Sequence, residues 1–84
     1  MDNEEIVELD LIRTPFVKGT TIEIVGVGQK RIVSQYGNIA VAVAMAYHVL
    51  TDTDFPLNTR RFADRISVLE YDKNQKFLKV RIAG

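Results

Sequence analysis

Eighty-four residues with no cysteine, one histidine and a formal net charge of zero describe one small domain and remove several classes at once. Without cysteine there can be no disulfide scaffold and no thiolate zinc site, and one histidine is a poor start for a structural metal site. A domain of this size buries roughly 60–65% of its unfolded surface, so its stability is marginal without help, and oligomerisation is the aid that remains.

The distribution of charge says more than its sum. Asp2, Glu4, Glu5, Glu8 and Asp10 put five acids and no base in the first ten residues. All eleven Lys and Arg follow, against six acids, so the rest of the chain carries +5. The acidic end reads as a solubilising, partly flexible terminus or as an edge that shields a basic surface. It is the reverse of a signal peptide, which opens basic and then turns apolar. Ile39 to Tyr47 is the longest apolar stretch and is too short to span a membrane. The lack of cysteine fits a cytoplasmic location.

In chain order, Val7, Leu9 and Leu11 alternate with Glu8 and Asp10, the period of a half-buried strand. Thr14-Pro15 breaks that pattern. Ile22 and Ile24 alternate with Thr21, Glu23 and Val25 in a second expected strand, and the short link between the two predicts a hairpin. Gly26-Val27-Gly28 ends it and is expected to turn directly into a helix opening on Gln29-Lys30-Arg31. Ile39 to Tyr47 alternates as a strand would. It also satisfies a helix, through Ile32, Tyr36, Ile39, Val43, Ala46 and Leu50. Length and alanine content favour the helix, with Gly37-Asn38 as its start or kink. Thr51 to Asp54 stops it. Arg65 to Tyr71 and Phe77 to Ile82 read as two more strands joined by a turn at Asp72 to Gln75. The expected fold is a small α+β domain of order β-β-α-β-β, with one long central helix packed on an antiparallel or mixed sheet.

The helix carries a second apolar side: Val41, Met45 and Val49, broken by Ser34, Asn38 and His48. A surface helix of a monomer is polar there, so these three are the expected interface of a homodimer or higher oligomer.

Gly26-Val27-Gly28 resembles a phosphate-binding turn, but Arg31 stands where a dinucleotide fingerprint needs its third glycine, and no Walker pair follows. No cofactor is expected. Lys30 and Arg31 beside free helix amides could still hold a nucleic-acid phosphate. Arg60, Arg61 and Arg65 form a second basic cluster. Lys73, Lys76, Lys79 and Arg81 line the last hairpin, with Phe77 beside them to stack a base. Each cluster is also what an ordinary solvated surface looks like. His48, Asp52 and Asp54 are too sparse for a metal site. No nucleophile, base and orienting group occur together, so no catalytic residues and no enzyme are expected.

The stretch IEIVGVGQKRIVSQ, IAVAVAMAYHVL, DRISVLE and KFLKVRIAG resembles the second half of the Alba family of small chromatin and RNA-binding proteins, over about residues 20–84. The likeness lies in element order and hydrophobic pattern. It implies a dimer that binds DNA or RNA with little sequence preference, with Lys30 and Arg31 beside the turn and Lys73 and Lys76 on the hairpin arm. The family's helix between its first two strands has no room between Thr14 and Gly19, and Asp72 to Gln75 is tighter than the family's arm. The rival expectation is a self-assembling structural or adaptor module that binds a protein partner.

Overall fold

A computed structural model describes residues 6–33 and 37–84. Asp2, Glu4 and Glu5 of the acidic end, and Ser34 and Tyr36 of the expected helix, lie outside the described residues. The alternating Thr21-Ile22-Glu23-Ile24 forms β1 (Thr21–Ile24), with both isoleucines fully buried. Val25-Gly26-Val27 then reverses the chain into β2 (Gly28–Arg31), paired antiparallel to β1. Gly26 has φ 84°, a left-handed backbone that glycine adopts without strain.

This hairpin corrects two expectations. The glycine turn leads into a strand and not into a helix. The hairpin partner of β1 is also Gly28–Arg31 and not Val7–Leu11. Asp10 explains the second point: its Oδ1 accepts from the amides of Ile12 and Arg13. That side-chain turn competes with an extended backbone and bends the chain at Leu11. The segment then runs past the start of the first helix, where Pro15 bridges Asn38.

That helix, α1 (Ile39–Thr51), has 13 residues, so the single long helix expected from Gln29 onward is shortened. It begins where Asn38 Oδ1 accepts from Val41 N–H at 2.9 Å, an N-cap. It ends at Asp52, whose φ of 54° is left-handed. A second helix, α2 (Thr59–Ala63), is capped in the same way by Asn58 and buries Phe62. The chain closes with β3 (Ile66–Asp72) and β4 (Phe77–Ile82), antiparallel to each other, as the turn expected at Asp72 to Gln75 predicts.

The sheet order is β2-β1-β4-β3, with a parallel pair, β1 and β4, at its centre. Among the described residues the fold is therefore α+β, with a mixed four-stranded sheet and two helices. Ile22, Ile24, Leu78, Val80 and Val68 of the sheet share one core with Ile39, Val43 and Ala46 of α1 and with Phe62. The other face of the sheet is uncovered among the described residues.

Two measurements test this packing. Ile22→Ala is expected to lower the unfolding free energy by about 2–5 kcal/mol in urea titration. The Tyr71 hydroxyl is buried with no hydrogen-bond partner among the described residues. A buried hydroxyl in that state is unfavourable by about 1–3 kcal/mol. Tyr71→Phe is thus expected to leave the urea midpoint unchanged or raise it.

Candidate functional site

The sheet register decides which side chains share the open face. One cross-strand row reads Arg31, Thr21, Phe77, Asp72. The next reads Gln29, Glu23, Lys79, Glu70, and Arg81 beside Ser67 continues the series. Phe77, Lys79 and Arg81 therefore stand in file along β4, an interior strand of the sheet. The cations do not stand alone. Lys79 lies between Glu23 and Glu70, so that row is acid, base, acid. This interleaving is not legible along the chain, because Glu23 is more than fifty residues from Lys79.

Lys30 and Arg31 do not act as a pair. Arg31 is on the open face, whereas Lys30 sits opposite Ile22 on the core side. Both lie in a strand and not at the start of a helix. The first amides of α1 are in any case occupied: Ile39 donates to Thr14 O, Ala40 to Leu11 O, Val41 to Asn38 Oδ1 and Ala42 to Asn38 O. The anion cradle of strand, glycine turn and free helix amides is not formed.

Lys73 and Lys76 sit in the turn after β3, where Asp72 Oδ1 accepts from Asn74 and Gln75 N–H. Lys76 lies against Gly19, its Cδ 3.8 Å from where a Cβ would stand, and its carbonyl accepts from Thr21 N–H. Lys18, next in the chain, and Arg31 belong to this same end of the sheet.

Arg65 is at the other end. Its Nε donates to Ala83 O at 2.7 Å, and its guanidinium stands 5.4 Å from the Phe62 ring centroid and 5.8 Å from that of Tyr47. The two rings are themselves 5.5 Å apart. Arg61 and Arg65 border an open groove of about 470 Å³ with Pro56, Asn58, Phe62 and Asp64, while Arg60 is exposed on α2. Six residues of β-strand separate Phe77 from Ala83, about 20 Å at 3.3 Å per residue. The basic clusters thus do not form one compact patch: Lys79 and Arg81 lie on the open face of β4, and Arg60, Arg61 and Arg65 stand with α2 on the helix side.

On α1, Met45 and Val49 are 41% and 45% exposed, and Val41 is half-buried near Gly37. His48 uses Nδ1 on the carbonyl of Thr53 and meets Phe55 edge-on, so it closes the helix end. Among the described residues no three His, Cys, Asp or Glu side chains gather as metal ligands would, and no helix is long and apolar enough to cross a membrane.

Comparison of the chain with protein-family models, with curated proteins and with solved structures finds no match.

The aromatic bracing of Arg65 is testable. Cation–π contacts of this kind contribute about 0.5–2 kcal/mol each, and a lysine lacks the planar fork that serves the rings and the carbonyl together. Arg65→Ala is expected to lower the thermal midpoint, and Arg65→Lys is expected not to restore it.

Proposed function

We propose that the protein is a binding module for single-stranded nucleic acid, with little sequence preference, and not an enzyme. The observation that carries this reading is the file of Phe77, Lys79 and Arg81 along the uncovered face of an interior strand. A base can stack on a half-buried aromatic ring, and flanking cations can hold its phosphates. Lys73, Lys76 and Arg31 extend the track at one end, whereas Arg60, Arg61 and Arg65 stand with α2 on the helix side of the sheet and form a separate basic group. The file from Phe77 to Arg81, about 13 Å at roughly 3.3 Å per residue, suits a few nucleotides, the low end of the roughly 4–16 that compact single-strand modules occupy. The resemblance to the Alba family implies binding of the same general kind. Glu23, Glu70 and Asp72 on the same face oppose tight binding, so the affinity belongs in the non-specific range, roughly 10⁻⁴–10⁻⁶ M, and falls steeply with salt.

A second reading has its own observation. Met45 and Val49 leave an apolar strip on α1 exposed, and a self-associating module would cover it. This homo-oligomer is compatible with binding on the opposite side of the sheet.

Fluorescence anisotropy with labelled single-stranded DNA, RNA and duplex DNA at low salt tests the first reading. Single strands are expected to bind better than duplex. Phe77→Ala is expected to weaken binding by about 1–3 kcal/mol, the worth of one stacked base. Lys79→Ala is expected to reduce the salt slope by about one. Glu23→Gln combined with Glu70→Gln is expected to tighten binding. Absence of binding to all three nucleic acids at these concentrations would overturn the proposal.

A further inference from the structure

The two edges of the sheet are finished differently. On β3, Val7 N–H donates to Val68 O at 2.8 Å, and the ladder is irregular between Val68 and Glu70. Both features discourage another strand from adding there. On β2 no such cover exists among the described residues.

The ladder also fixes which β2 groups point outward. Thr21 and Val25 N–H donate toward β4, to Lys76 O and Val80 O. The alternating residues Ile22 and Ile24 therefore bond toward β2, where they face Lys30 and Gly28. That leaves the N–H and C=O groups of Gln29 and Arg31 directed at the open edge.

Helix α1 packs on β2 and β1. Its Tyr47 side meets Phe62 of α2. Val49 lies two residues on, about 200° around the helix, and Met45 is one turn earlier on the same side. The exposed apolar strip therefore faces away from α2, toward the free edge of β2. Edge and strip form one continuous surface.

We propose that this surface pairs with a second copy of the chain, β2 against β2 in antiparallel fashion about a two-fold axis through Gln29. The proposal rests on the self-association reading and specifies its geometry. Charge selects the register. An axis at Lys30 or at Arg31 would set like charges directly opposite each other. An axis at Gln29 pairs Gln29 with itself, places Lys30 opposite Gly28, which has no side chain, and places Arg31 opposite Val27. Gln29 N–H then donates to the Gln29 carbonyl of the second copy, and the symmetry-related bond completes the central pair.

The helices fit the same arrangement. An α1 axis midway between β1 and β2 lies about 2.4 Å inside the edge strand, and one strand spacing adds about 4.8 Å. Two such helices sit about 10 Å apart, the distance of packed helices, with Met45 and Val49 of both copies between them. A standard interface takes about 800 Å² per partner. That is roughly one-seventh of the 5570 Å² surface, and a strand edge with a helix flank about 20 Å long is of that scale. The product is an eight-stranded sheet whose open face is continuous across the axis.

The chain has no cysteine, so Gln29→Cys supplies one thiol per copy and Arg13→Cys an exposed control. A short bis-maleimide reagent is expected to convert most of the Gln29→Cys protein to covalent dimer and the control to little. Light scattering on the unmodified chain is expected to give twice the chain mass, and Met45→Glu to weaken the dimer at least tenfold while circular dichroism stays native. A monomer at every concentration up to the solubility limit would overturn both the pairing and the self-association reading. A dimer that Met45→Glu dissociates but Gln29→Cys does not cross-link would overturn the strand pairing and leave self-association through α1 standing. Efficient cross-linking in a dimer indifferent to Met45→Glu would support the strand pairing and remove the helix contact.

Discussion

The parallel ladder between β1 and β4 joins two hairpins whose facing residues, Thr21 and Phe77, are 56 positions apart in the chain. Ile22, Ile24, Leu78 and Val80 meet there, all at 0–1% exposure. Four aliphatic side chains fully buried contribute about 1.5–3 kcal/mol each. Parallel strands need a crossover, and α1 and α2 supply it while covering the face on which those four residues lie. The ladder makes β2 and β3 the edges, and it aligns Glu23 with Lys79. The surface chemistry follows from this one pairing.

The open face shows how register turns a neutral composition into a pattern. Acids and bases alternate across the strands, which favours the sheet through cross-strand pairs and leaves a face of little net charge. Binding of a polyanion there has to work against Glu23, Glu70 and Asp72. The aromatic ring of Phe77 is the feature that an ordinary solvated face does not require. Arg65 has a different character. Held by two rings and a main-chain carbonyl, its guanidinium has lost much of its freedom to move before any ligand arrives, and a preordered contact is worth more than a mobile one.

Covered and uncovered edges have opposite physical consequences. The edge of β3 gives a backbone bond to the chain's own Val7, whereas Gln29 and Arg31 of β2 turn theirs outward. An open edge beside an apolar helix strip is a surface that water solvates poorly on one side and well on the other. Such surfaces favour pairing with a partner that offers both a strand and an apolar flank.

What the sequence determined by itself was local. The alternation at Thr21–Ile24 and Phe77–Ile82 was readable because one face of each strand is buried, and the strand expected at Arg65 to Tyr71 forms as Ile66–Asp72 with its alternation broken between Val68 and Glu70. Helix α1 was readable from its alanines, its start from Gly37-Asn38, and the last turn from Asp72, whose side chain accepts from the amides that follow it. The apolar strip of Met45 and Val49 could be read from helical spacing alone. Tertiary structure decided the rest. Gln29-Lys30-Arg31 has no strand signal of its own and becomes β2 because the outward backbone groups of β1 need partners that only a returning chain supplies. Val7 to Leu11 has a strand's alternation and forms no strand, because Asp10 turns the chain and the amides of α1 take the carbonyls of Leu11 and Thr14. Which charges share a face, and which edge stays open, depended on pairing residues far apart in the chain. Spacing along a single strand carries no record of that pairing.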